Sequence, residues 1–174
     1  MKKRLKQKIA KNQEKRKEEI FRYAAYGDLG KIKRLLDFGI DVNTRDQDGY
    51  TMLHWATQES HLDLIKFLIS AGSNIHLKDE EGFTPLYIAA GEGYIEIMKW
   101  LIKNGANIEV KSNDGSTPLI IACCYNHKEA VELLLKNGVN KNTKDDDGKG
   151  AMFYAKEYGN KEIAHLLDDY YIWA

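Results

Sequence analysis

Apolar residues recur along this chain at helical spacing in short bursts, and the bursts themselves return every 33 residues. Leu53, Leu86 and Leu119 hold one apolar position, Ala56, Ala89 and Ala122 a second, and Leu68, Leu101 and Leu134 a third. Spacings of three and four within a burst put its apolar side chains on one face, which predicts amphipathic helices. The second helix of each burst is expected from about Leu62, Ile95 and Lys128, burying Ile65, Leu68, Ile97, Leu101, Val131 and Leu134. Glycine keeps the same period in two series: Gly49, Gly82, Gly115 and Gly148, then Gly39, Gly72, Gly105 and Gly138. The first series ends polar turns, Asp46-Gln47-Asp48-Gly49, Asp79-Glu80-Glu81-Gly82 and Ser112-Asn113-Asp114-Gly115. There a short acceptor side chain and a residue without Cβ suit a tight backbone. The second series suits the left-handed position that closes a helix. Pro85 and Pro118 fall early in the first helices, where no backbone donor is missed. A turn and two helices at a fixed period define a stacked array, in which each unit buries its apolar face only against its neighbours.

The stretch Phe83-Thr84-Pro85-Leu86-Tyr87-Ile88-Ala89-Ala90, followed by Gly91-Glu92-Gly93-Tyr94 and closed by Leu101-Ile102-Lys103-Asn104-Gly105-Ala106-Asn107-Ile108, resembles an ankyrin repeat. The resemblance recurs in register from about residue 18 to the C-terminus. It implies an all-α ankyrin-repeat solenoid of stacked helix-turn-helix units, with β-turn or hairpin loops projecting at right angles to the helices. Five units are expected: an N-terminal cap at 18–45 that lacks its turn, then 46–78, 79–111, 112–144, and a C-terminal cap at 145–174. In the first, Ile20, Phe21, Tyr23, Ala24 and Ala25 form one helix, Asp28 suits an N-cap, and Gly39 ends the helix carrying Ile32, Leu35 and Leu36. In the last, Gly150-Ala151-Met152-Phe153 replaces the Thr-Pro-Leu opening. Its second helix, with Ile163, Leu166 and Leu167, runs into Tyr170-Tyr171-Ile172-Trp173, expected to fold back over the last helix pair because a free aromatic patch invites association.

Charge divides the chain further. Its 26 Lys and Arg balance 26 Asp and Glu, yet residues 1–19 hold nine basic against three acidic side chains and the remainder holds 17 against 23. Residues 1–17 are therefore expected as a separate basic segment, a frayed helix on which only Leu5 and Ile9 share a face. Two adjacent cysteines, Cys123 and Cys124, make no disulfide framework, and no apolar run reaches the length of a membrane span. A reducing, cytoplasmic setting and a monomer are the expectations, with a nuclear location or export without a cleaved signal as the alternatives.

Three groupings carry candidate chemistry. Cys123, Cys124 and His127 lie within about one helical turn, but a closed zinc site needs about four converging ligands. Asp145-Asp146-Asp147-Gly148 resembles the middle of a calcium loop whose ends fail, with Thr143 and Tyr154 where carboxylates belong. His54, His61 and His127 occupy places where the resemblance implies structural roles, His54 tying neighbouring loops and the other two marking the turn between helices. At the position of His54 stand Tyr87, Ile120 and Phe153, expected to make hydrophobic contacts instead. Neither a phosphate-binding glycine loop nor a serine elbow is present. The expectation is a protein without catalytic residues, metal or cofactor.

What remains is the surface. Partners of ankyrin proteins usually bind a concave face made by the turns and first helices. The resemblance places there Tyr26, Asp48, Tyr50, Gln58, Glu59, Glu80, Glu81, Phe83, Glu92, Asp114, Tyr125, Asp147, Lys149 and Tyr158. Aromatic residues at ordered, exposed positions anchor protein interfaces, and acidic neighbours favour a basic partner. The reading is a non-catalytic protein-protein interaction module that binds a basic segment of another protein. The alternative is nucleic-acid or anionic-surface binding through the Lys-rich start, disfavoured because that segment has no aromatic for base stacking.

Overall fold

The computed structural model describes residues 18–169 and divides the chain into two units, Met1–Asn74 and Ile75–Ala174. In the first, residues 18–25 are helical (α1), followed by α2 (Leu29–Asp37), α3 (Met52–Gln58) and α4 (Leu62–Ser70). The second holds three helix pairs: α5 (Pro85–Gly91) with α6 (Ile95–Lys103), α7 (Pro118–Cys124) with α8 (Lys128–Lys136), and α9 (Ala151–Glu157) with α10 (Lys161–Asp169). Extended pairing among the described residues is confined to single bridges, Arg45 with Thr51 and Lys144 with Gly150. Among the described residues, no helix is long and apolar enough to cross a membrane.

Three of the first helices, α3, α5 and α7, start where a threonine caps them. The side chains of Thr51, Thr84 and Thr117 accept from the amides of His54, Tyr87 and Ile120, and Pro85 and Pro118 take the position where a missing N–H costs nothing. Gly150 stands at the same position before α9 and supplies no side-chain cap. Second helices begin at Leu62, Ile95 and Lys128, as the apolar period requires, and Asp28 caps α2 by accepting from the Lys31 amide at 3.0 Å. The three recurring core positions, Leu53/86/119, Ala56/89/122 and Leu68/101/134, are all buried.

Within the second unit the first helices α5, α7 and α9 pack side by side, and the second helices α6, α8 and α10 form the other row. Polar bonds repeat along that stacking direction. The Asn113 amide donates to the Glu81 carbonyl at 3.0 Å and its side chain to the Glu80 carbonyl at 2.7 Å, while the Asp146 amide donates to the Asp114 carbonyl at 3.0 Å. Lys78 Nζ donates to the Lys111 carbonyl at 2.7 Å, and Lys111 Nζ to the Lys144 carbonyl at 2.8 Å. His127 Nε2 donates to the Gly91 carbonyl at 2.8 Å, and a Cβ on Gly93 would lie 2.5 Å from that ring, so glycine is required there. In the first unit His61 Nε2 reaches the Ala25 carbonyl at 2.8 Å over Gly27 in the same way.

At the His54 position the expected hydrophobic contacts change for Tyr87 and Phe153. His54 Nδ1 lies 2.8 Å from Thr51 Oγ1 and accepts from the Thr51 amide, so the imidazole closes a capping box on its own helix. Tyr87 is not purely hydrophobic: its ring is buried, but its phenol meets the hydroxyls of Ser116 and Ser112. Phe153 is 43% exposed, where Tyr87 and Ile120 are buried. The proposed seat of Tyr170-Tyr171-Ile172-Trp173, like the frayed helix of residues 1–17, lies outside the described residues.

Candidate partner-binding surface

The acidic positions sit where turn geometry puts them. Asp79 Oδ1 accepts from the amides of Glu81 and Phe83 at 3.0 and 2.7 Å, which turns Glu80 and Glu81 outward. Asp46 Oδ1 does the same for Asp48 and Tyr50, and Asp145 Oδ1 for Lys149. Asp114 is exposed, yet it accepts from the Ser112 hydroxyl and the Ser116 amide, so part of its carboxylate holds its own turn. Asp147 pairs with Lys149 at 3.2 Å, and Lys149 Nζ also lies 5.4 Å from the Phe153 ring centroid. Glu59 and Glu92 lie exposed at the C-caps of α3 and α5. The side chain of Gln58 is half-buried on α3.

The aromatic positions divide into two kinds. Tyr26, Tyr125 and Tyr158 are 74%, 63% and 59% exposed. Tyr125 and Tyr158 are the C-cap residues of α7 and α9, so they project beyond the last turn of neighbouring first helices. Tyr50 and Phe83 are half-buried. The Phe83 ring stacks on Tyr87 with centroids 4.5 Å apart and planes 6° apart, and Tyr50 lies 5.4 Å from His54 and 5.3 Å from Trp55. These two anchor their own helices first and offer an edge to solvent. A cluster that sequence reasoning missed adjoins Tyr158: Tyr154 stacks on it at 6.3 Å and meets Phe153 edge-on at 5.4 Å.

The 33-residue period holds a further relation that the letters alone do not display. Trp55 Nε1 donates to Asp46 Oδ2 at 2.7 Å, and the Tyr154 hydroxyl to Asp145 Oδ2 at 2.6 Å. In both, an aromatic donor nine residues on saturates the second oxygen of the turn aspartate. Ile121 takes that place after Ser112, which has no second carboxylate oxygen to serve. After Asp79, however, the residue is Ile88, and Asp79 Oδ2 is buried without a hydrogen-bond partner.

Burial therefore raises the Asp79 carboxyl above the ordinary 3.8, against the pull of the Phe83, Glu81 and Gly82 amides. Burial also pushes Asp145 up, but the Tyr154 hydroxyl and the Lys149 and Asp147 amides hold it below the ordinary value. A carboxyl raised on folding contributes stability at low pH that is lost as pH rises through its folded value, and Asp145 runs the other way. A donor at residue 88 should cure the defect. Ile88→Tyr is expected to exceed Ile88→Phe in stability by about 0.5–1.5 kcal/mol in urea unfolding at neutral pH. Equal midpoints for the two variants would show that Oδ2 needs no partner.

The cysteine and acidic groupings are occupied by the fold. Cys123 is buried in the core, and burial, then the neighbouring Cys124, raises its thiol. Cys124 is pushed up to about 11, by burial first and by Asp145 second. Both thiols stay protonated at neutral pH, whereas the reactive form is the thiolate. The described His, Cys, Asp and Glu side chains include no group of three placed to hold a metal ion.

Paired helices at this period, joined by Gly-ended turns that stack through backbone amides, define an ankyrin-repeat protein. The family model described as Ankyrin repeats (3 copies) matches residues 20–112 and 99–172, and the chain belongs to that family. Among curated proteins, a segment of 50 residues is 36% identical to Ankyrin repeat domain-containing protein 40 of Mus musculus, and equally to that of Homo sapiens; it covers 28% of this chain and 14% of the relative. Acyl-CoA-binding domain-containing protein 6 of Danio rerio is 37% identical over 57 residues, 30% of this chain and 19% of that protein. The chain thus aligns with less than a fifth of each of these relatives.

Proposed function

We propose that the chain acts by binding, without catalysis, and that it docks a basic segment of another protein on its turn tips and first helices. The observation that carries this reading is the pairing, in the second unit, of two exposed C-cap tyrosines, Tyr125 and Tyr158, with a stacked row of acidic turns, Glu80-Glu81, Asp114 and Asp146-Asp147. A seven-residue helix separates turn from tyrosine, about 10 Å at 1.5 Å per residue. An extended basic peptide can cover both at once, its ammonium or guanidinium groups at the turns and its apolar stems on the rings. Ordered tyrosines give contact area at little entropic cost, and acidic side chains speed the encounter with a basic partner. Tyr26 and the turn-side residues Asp48, Tyr50, Gln58 and Glu59 offer the same chemistry in the first unit. A monomer in a reducing compartment such as the cytoplasm fits this role and keeps Cys124 a thiol.

The test is capture from native extract with the full chain, then titration of the isolated partner. Tyr125→Ala with Tyr158→Ala is expected to weaken binding about tenfold or more at unchanged helicity, and raised salt is expected to weaken it further. Adding Tyr50→Ala and Phe83→Ala should lower stability as well, since those rings pack on their own helices. Unchanged affinity in the double variant would sink the reading. Loss of capture on removing residues 1–17, with the tyrosine variant unaffected, would assign function to the Lys-rich segment instead.

A further inference from the structure

Within the second unit, the turns led by Asp79 and Asp145 are built alike but served differently. Asp145 Oδ1 holds its own turn, Oδ2 accepts from the Tyr154 hydroxyl on α9, and Lys149 pairs with Asp147 at 3.2 Å. One phenol and one ammonium thus answer the acids of that turn. Stepping back by 66 residues, Tyr154 becomes Ile88, Lys149 becomes Phe83 and Asp147 becomes Glu81. Both compensating groups are replaced by apolar side chains while the acids remain.

The consequence is visible at Asp79. Its Oδ1 binds the amides of Glu81 and Phe83, but Oδ2 is buried without a hydrogen-bond partner among the described residues, and the whole residue is 7% exposed. The ring donors reach Asp46 and Asp145 from α3 and α9, so by the same register Oδ2 of Asp79 faces α5. Lys78, the preceding residue, sends its ammonium to the Lys111 carbonyl at 2.7 Å, and Glu80 and Glu81 follow as exposed carboxylates.

We propose that this turn seats an arginine of the docked segment, whose guanidinium donates to Asp79 Oδ2 and the Glu81 carboxylate and lies against the Phe83 ring. The proposal rests on the reading that the second unit docks a basic segment, and it names a residue that segment must carry. One guanidinium then does what Tyr154 and Lys149 do at the other turn. Arginine fits better than lysine because its donors form a planar fork, it is more weakly hydrated, and it stacks on aromatic faces. Entry requires the Ile88 side chain to turn aside, and rotamer changes of that kind are common at interfaces.

The experiment titrates the full chain calorimetrically with three synthetic decapeptides in which glycine alternates with arginine, lysine or citrulline. Asp79→Asn keeps an oxygen for the turn amides and removes the charged acceptor, whereas Glu80→Gln removes an equal charge outside the contact. Asp79→Asn is expected to weaken the arginine peptide about tenfold or more and the lysine peptide less, and Glu80→Gln to weaken the arginine peptide about threefold or less. Ile88→Tyr, whose hydroxyl serves Oδ2 from within, is expected to weaken the arginine peptide as Asp79→Asn does in a chain that stays folded. Equal losses from Asp79→Asn and Glu80→Gln, or full affinity in folded Ile88→Tyr, would overturn the seat. If Tyr125→Ala with Tyr158→Ala loses the arginine peptide and Asp79→Asn does not, the basic-segment reading stands and the seat falls. Equal binding of the arginine and citrulline peptides by the unaltered chain would remove both.

Discussion

Leu101→Ala is expected to lower the free energy of unfolding by about 2–5 kcal/mol, read as a shifted urea midpoint. Leu101 is fully buried on α6 beside Ile97 and Met98, and α6 packs against both α5 and α8. Its carbonyl also accepts from the amides of Asn104 and Ala106, which close the helix end at Gly105, so collapse into the cavity would disturb that terminus. Because each helix pair is stabilised by its neighbour, the defect acts on the interface with α8 as well as on its own pair. A loss below about 1 kcal/mol would mean that the site collapses freely, contrary to its close packing.

Gly82→Ala is expected to cost about 2–4 kcal/mol, well above a left-handed penalty of about 1–2 kcal/mol. Gly82 has φ +83°, and a Cβ there would lie 2.6 Å from Asn113 Oδ1 and 2.7 Å from the Asn113 amide nitrogen. That amide donates to the Glu81 carbonyl, so the methyl group strikes one of the bonds that stack consecutive turns. Gly105→Ala provides the comparison: φ is +89° with nothing near the added Cβ, so only the backbone penalty applies. Thermal unfolding of both variants would separate contact from conformation, and equal losses would show that the Asn113 contact yields easily.

These sites also show what the sequence could disclose. The helix starts at Leu62, Ile95 and Lys128, the threonine caps and the Gly-ended turns depend on neighbours within four residues and on a period visible in the letters. The exposure of the aromatic candidates was less legible. Phe83 precedes its helix by two residues and lies back on Tyr87, whereas Tyr125 follows its helix and meets only a tilted His127 ring 6.5 Å away, leaving it 63% exposed. Both read simply as aromatic residues on variable positions. The bonds from Trp55 to Asp46 and from Tyr154 to Asp145 were hidden for another reason. They cross nine residues, and only the side-chain directions reveal that one oxygen of each turn aspartate faces the first helix. The missing donor at Ile88 becomes visible only after those two pairs are seen.

The lysine-to-carbonyl bonds along the second unit have a consequence for chemical modification. Lys78 and Lys111 each commit an ammonium proton to the carbonyl of the lysine 33 residues on, at 2.7 and 2.8 Å, while their stems remain exposed. An acylating reagent needs the free amine lone pair, so these two nitrogens should react more slowly than Lys136 on the same unit. Acetylation of either would remove the bond's charge and leave an amide where an ammonium had joined two loops. The order in which lysines acquire label thus reports, residue by residue, whether adjacent loops remain fastened.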